Sequence, residues 1–248
     1  MRIGITERGD ASIDYSWVQK LDNVDGAILI TKNVTDRFIE AVLQNYNKVI
    51  VHATTTGYGG TILEPNVMPV EKTMNQLEKL MNNGFSFRKI IMRVDPIIPT
   101  EKGIVTAESV IRQGYGKGIR RFRISVIDMY PHVRERFKKA RIKLPYGEGF
   151  SASDTAFTAV DDMCQRLYND CAGISIECCA EPKLNIPKHI GCISSVDFKV
   201  LGLPKPQEAE HTKGYQRKEC LCCSCKTELL NNRYRCPNGC LYCYWKDK

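Results

Sequence analysis

Three cysteines fall within eight residues, Cys236, Cys240 and Cys243, spaced C-x-x-x-C-x-x-C in the stretch CPNGCLYCYW and accompanied by Tyr242, Tyr244 and Trp245. Thiols this close ionise to bind soft metals, and such spacing serves zinc and iron-sulfur centres alike. Two groupings compete. Cys222, Cys225, Cys240 and Cys243 make C-x-x-C, fourteen residues, C-x-x-C, near a zinc ribbon and suited to one tetrahedral ion. Cys236, Cys240 and Cys243 instead supply three thiolates for three irons of a cubane whose fourth iron stays open to a ligand. The zinc grouping leaves Cys236, Cys220 and Cys223 idle, whereas the iron grouping uses Cys236 and sets Tyr242 beside the metal.

None of the twelve cysteines precedes Cys164 and seven fall between Cys220 and Cys243, so the thiol chemistry belongs to the last third of the chain. The sequence has no apolar run long enough to span a membrane, and MRIGITERGD lacks the apolar core of a secretory signal. The expectation is a cytoplasmic protein without membrane contact, whose thiols serve metal or catalysis rather than disulfides. A hydrophobic content of 43% over 248 residues suffices for a sizeable core. The formal charge of +8 permits a nucleotide or nucleic-acid partner without requiring one, and ionised ligand thiols would offset part of it.

The elements that must position these thiols follow from apolar patterning. Runs rich in Ile and Val at Arg2–Thr6, Gly26–Thr31, Lys48–Ala53, Lys89–Val94, Arg121–Ile127 and Gly173–Cys179 read as strands buried on both faces. Helical periodicity separates them: Asp36–Tyr46, Val70–Asn83 after Pro69, Ala107–Gln113, and a helix opening at Asp154 with Phe157, Val160, Met163 and Leu167 on one face. Repeated β-α units fit either an open doubly wound sheet or a barrel, complete or partial, and both bind ligands at the carboxyl ends of their strands.

Polar residues stand at those ends. Lys32, Asp95, Asp128, Tyr130 and Glu181 are candidate substrate-handling groups. Arg93 precedes Asp95 by two residues, so the two fit a mutual ion pair as well as a ligand contact. In TTTGYGG, Thr56 and Gly57 would let backbone approach a ligand, or form an ordinary turn. The basic stretches Arg120–Ser125 and His132–Pro145 suit either phosphates or a solvated helix. After Leu203 the sequence becomes PKPQEAEHTKGYQRKE, a polar linker. This divides a body of residues 1–203 from a linker and cysteine-rich tail of residues 204–248, which is expected to be organised by metal and to dock on the body.

C-P-N-G-C-L-Y-C resembles the radical S-adenosylmethionine signature C-x-x-x-C-x-aromatic-C. That resemblance implies a [4Fe-4S] cluster on Cys236, Cys240 and Cys243 within a partial (β/α)6 TIM-like barrel, with the tail at the carboxyl face of the strands. It also implies cleavage of S-adenosylmethionine to a 5'-deoxyadenosyl radical, an unknown substrate, and a reductant such as flavodoxin or ferredoxin. Tyr242 would then lie near the adenine and Arg93 would meet the methionine carboxylate. In most of that superfamily the motif follows the first strand; here it follows the sixth, and RIGITERGD contains no cysteine. More closely, the chain resembles an uncharacterised bacterial domain-of-unknown-function family with this motif at the C-terminus. TKN at Thr31, EPNV at Glu64, RVDPI at Arg93, SVIDMY at Ser125, CAE at Cys179, GCI at Gly191, QRKECLC at Gln216 and GCLYCYW carry this likeness. It adds Cys179, Cys192, Cys220 and Cys222 as ligands of a second cluster; ordinary buried cysteines are the alternative for Cys179 and Cys192. The competing function is a zinc-ribbon module, on nucleic acid, fused to an α/β body.

Overall fold

A computed structural model of the chain describes residues 2–204, 226–231 and 236–245. Cys220, Cys222, Cys223 and Cys225, with two ligands of the zinc grouping and two of the second cluster, lie outside the described residues.

The six expected strands form: β1 (Ile3–Ile5), β2 (Gly26–Thr31), β3 (Val49–Thr54), β4 (Ile90–Ile97), β5 (Arg121–Val126) and β6 (Ser175–Cys178). Two short strands that periodicity did not reveal join them, β7 (Lys188–His189) and β8 (Lys226–Glu228). The helices are α1 (Ser16–Lys20), α2 (Asp36–Gln44), α3 (Val70–Asn82), α4 (Glu101–Gly116), α5 (Pro131–Lys139), α6 (Asp154–Asp170) and α7 (Ser195–Val200). All eight strands are parallel in one sheet ordered β7-β6-β5-β4-β3-β2-β1-β8, giving a mixed α/β architecture. From β1 to β7 the order runs one way, and β8 returns to the other edge of β1.

The continuous apolar runs reflect burial of both faces. On β3, Val49, Val51 and Ala53 join the helix-side core with Leu77 of α3, Val110 of α4 and Leu167 of α6, while Ile50 joins Ile3, Ile5, Ile28 and Ile91 on the other face. Ile193 and Phe198 of α7 close that second cluster. Each fully buried Ile or Leu contributes roughly 1.5–3 kcal/mol. Thr35, Thr100 and Ser153 cap α2, α4 and α6 by accepting from the N–H groups of Phe38, Gly103 and Ala156. The helix expected to open at Asp154 begins there.

Toward the carboxyl ends this second face turns polar, with Arg93 and Asp95 after Ile91 on β4, and Arg123 and Ser125 after Arg121 on β5. The basic stretch of β5 is spent inside the protein. Arg121 meets Glu177 (2.9 Å) and Asp197 (2.9 Å), and Arg123 meets Glu177 (2.8 Å), all at sites 10% exposed or less. Asp197 also completes the capping box of α7 with Ser194, so one carboxylate serves a helix start and a buried cation. In α5, Lys138 pairs with Glu148 at 3.0 Å, and Arg136 bonds to backbone carbonyls. Much of the charge that suited phosphates therefore serves internal contacts. Among the described residues no helix is long and apolar enough to cross a membrane.

Removing Glu177 leaves the buried Arg123 guanidinium without a carboxylate and Arg121 with Asp197 alone. Glu177→Ala is expected to cost about 3–5 kcal/mol, whereas Glu78→Ala, which breaks a half-exposed pair with Lys117, should cost less than about 1 kcal/mol. Urea unfolding of both variants checks the difference.

Candidate functional site

The carboxyl ends of the strands and residues 236–245 enclose a cavity of about 780 Å³. Lys32, Asp95, Asp128, Tyr130 and Glu181 all line it, as do Arg93 and Tyr242. So do Cys236, Cys240 and Cys243 from the tail, and Cys179 and Cys192 from the body. None of the eight described cysteines is in a disulfide. Thr56 and Gly57 are the exceptions. Thr56 is buried behind the wall and donates to Glu64 Oε2 (2.6 Å), while Gly57, at φ +94°, packs against Thr106 of α4. Neither lines the cavity, and their contacts are those of a turn packed into the fold.

Strand ends place the charged groups. Arg93 and Arg123 are register partners on β4 and β5. Arg93 ion-pairs with Asp95, as their spacing allowed, and Ser125 donates to the other Asp95 oxygen. Burial opposes ionisation of Asp95, but Arg93 and Ser125 hold its carboxyl below the usual range. Burial likewise opposes the Arg93 charge, which Asp95 and Cys192 more than restore. Lys32 is again opposed by burial yet raised by Glu64 and Cys240, with a smaller contribution from Asp95. Lys32, Asp95 and Arg93 therefore alternate in charge between Cys240 of the tail and Cys192 of the body.

Beneath this layer His52 is fully buried, and burial together with Arg123 and Arg93 drives its pKa well below the usual value, leaving the ring neutral. Its nitrogens find no partner among the described residues. At the mouth, Glu181 accepts from Val126 N–H (3.0 Å). Tyr146 donates to the Ile127 carbonyl (2.9 Å), and burial, then Asp128 and Glu181, raises its pKa.

Several residues that periodicity and spacing missed seat the tail. Asp10 accepts from the Thr31 hydroxyl (2.6 Å), Lys32 N–H (2.8 Å) and Asn238 Nδ2 (2.8 Å). Asn33 donates to Asn238 Oδ1 (2.8 Å), Asn66 to the Pro237 carbonyl (2.7 Å), and Leu241 N–H to the Leu63 carbonyl (3.0 Å). Lys32 Nζ reaches Glu64 Oε1 (2.6 Å) and the Tyr242 hydroxyl (2.9 Å). From α5, Arg136 donates to the carbonyls of Cys243 (2.6 Å) and Trp245 (2.7 Å). The Tyr244 carbonyl accepts from His132 Nε2 (2.8 Å), and His132 stacks on Tyr130. Partners so far apart in the chain leave no local signal. The short matches TKN, EPNV and CPNGC and the basic stretch His132–Pro145 touched some of these positions without pairing them, and Asp10 was not marked at all.

A family model described as Domain of unknown function (DUF1848) matches residues 12–245. No curated protein matches the chain. Among solved structures, a type I 3-dehydroquinate dehydratase from Clostridium difficile with covalently modified comenic acid is 11% identical over 72% of this chain and 74% of that one, with a TM-score of 0.33. An O-GlcNAc hydrolase mutant from Thermobaculum terrenum is 14% identical over 77% of this chain, which spans 36% of the hydrolase, with a TM-score of 0.31. Likenesses of this size bear on neither architecture nor chemistry here.

Trp17 is fully buried in the body and Trp245 sits at the cavity, so tryptophan emission can report on tail docking. Arg136→Ala removes both bonds to the tail carbonyls. It should shift the emission to the red and increase quenching by acrylamide, while the urea midpoint moves by no more than about 1–2 kcal/mol in stability.

Proposed function

We propose that this chain, which belongs to the DUF1848 family, is a radical S-adenosylmethionine-type enzyme that holds a [4Fe-4S] cluster on Cys236, Cys240 and Cys243. The observation that carries this reading is convergence: three closely spaced thiols, and strand-end residues more than fifty positions away, line one cavity. The donors offered are the thiols of Cys236, Cys240 and Cys243 on one cavity, the soft ligands that each take one iron of a cubane; among the described residues no group of three or more His, Cys, Asp or Glu is drawn together as a metal site. The bound cluster, reduced by one electron from flavodoxin or ferredoxin in the cytoplasm, would cleave S-adenosylmethionine to methionine and a 5'-deoxyadenosyl radical able to take hydrogen from a substrate.

The chain's own residues then bind, orient and exclude water. Arg93 suits the methionine carboxylate, because its guanidinium is planar and stays charged beside Asp95. The Tyr242 hydroxyl is engaged by Lys32 and Glu64, so its ring is the part left for the adenine. Asp128, Tyr130 and Glu181 at the mouth are the groups for substrate, and Lys32 and Asp95 set the charge between them and the thiols. In this reading the singly wound sheet curls into a partial barrel with its seam between β7 and β8, and the tail covers the carboxyl face. Cys179 and Cys192 on the same cavity support an auxiliary cluster, shared with Cys220 and Cys222.

Protein purified without oxygen should be brown and contain iron and acid-labile sulfide in equal amounts. Reduced with dithionite in the presence of S-adenosylmethionine, it should release 5'-deoxyadenosine, and Cys236→Ala should bring that release to background. A colourless protein with stoichiometric zinc, unaffected by Cys236→Ala, overturns the proposal in favour of the zinc-ribbon module.

A further inference from the structure

The composition of the tail led to the expectation that metal organises it. The contacts at its base point elsewhere. We propose that Glu64 is a positioning residue that seats the cysteine loop on the body before any metal arrives, a role that gains its purpose from the reading of Cys236, Cys240 and Cys243 as ligands but not its geometry.

Glu64 is 1% exposed, and both its oxygens are engaged by different parts of the chain. Oε1 takes the ammonium of Lys32 at the end of β2 (2.6 Å) and the hydroxyl of Tyr242 from the tail; Oε2 takes the hydroxyl of Thr56, just after β3 (2.6 Å). Lys32 closes the triangle, with its Nζ 2.9 Å from the Tyr242 hydroxyl and 5.2 Å from the centre of that ring. Tyr242 stands between Cys240 and Cys243, so fixing its side chain fixes the backbone that carries both thiols.

A second anchor holds the other side of Cys240. Asn238 is 2% exposed and bridges Asp10 and Asn33, and the turn after it needs Gly239, at φ +69°, where a Cβ would lie 3.1 Å from Pro65. Bonds shielded from water are strengthened, and removing Glu64 takes the shared acceptor from the Lys32 ammonium and from the Tyr242 and Thr56 hydroxyls at once. A loop so held presents its thiols without the ordering cost that a free tail meets on binding metal.

Pulse alkylation with iodoacetamide of the full chain, reduced and stripped of metal, followed by peptide mass spectrometry, tests this. Cys240, 5% exposed, should react on the order of 100-fold more slowly than in the same protein in urea. Glu64→Ala should largely abolish that protection, whereas Cys164, fully buried in the body, stays slow. Glu64→Gln should also speed Cys240, by leaving the Lys32 cation without its counterion. Adding Lys32→Met to Glu64→Gln should restore slow reaction, a rescue that general destabilisation does not give. Tyr242→Phe, which removes only the hydroxyl, should give a smaller acceleration. The proposal is overturned if wild-type Cys240 reacts at its unfolded rate without metal, or if Cys164 accelerates in step with Cys240 in the variants. Because the assay contains no metal, slow Cys240 in a protein that never takes up iron and sulfide sinks the enzyme reading and upholds the role of Glu64.

Discussion

A strand parallel to all its neighbours can return only through a crossover, so every strand of such a sheet ends on the same side. In this chain that single constraint gathers the chemistry. Lys32 after β2, Arg93 and Asp95 on β4, Asp128 after β5 and Cys179 after β6 share nothing in local sequence, yet each falls where its strand stops. The helices contribute by burying one face of the sheet so completely that the other is left to hold polar groups.

The charges on that second face are arranged in compensating pairs. Arg93 answers Asp95, Arg121 answers Asp197, and Arg123 shares Glu177 with Arg121. Three cations and three anions in a low-dielectric interior are tolerable because each has a counterion at hydrogen-bonding distance. A neutral His52 below them adds no further charge. Such an interior is costly to desolvate but rigid once formed, which suits a cavity whose ligands must be held in register.

Strands and long helices were legible because burial on two faces or one leaves a period in the sequence. β2 occupies the expected Gly26–Thr31, and α3 begins right after Pro69 as proposed. The β7 and β8 strands escaped because two or three residues carry no period, and their pairing is decided by neighbours far along the chain. The rim residues were read from a rule about strand ends, and the candidate ligand thiols from spacing and resemblance. Glu64, Asp10 and Asn238 were not singled out as a group, because acceptors for partners 178 or 228 positions away have no local pattern. Thr56 and Gly57 were open to two readings by composition, ligand approach or an ordinary turn, and the contacts they make are those of a turn: the Thr56 hydroxyl bonds Glu64 and Gly57 packs on Thr106.

β8 adds a timing element. Ile3, Gly4 and Ile5 pair with Lys226, Thr227 and Glu228, and Glu228 accepts from the N–H groups of Glu7 and Arg8. One edge of β1 is therefore completed by a segment translated more than two hundred residues after it. Until then β1 offers a bare row of backbone donors and acceptors to any passing strand. Chaperone protection during synthesis would matter most at that edge, which stays open until β8 has been made.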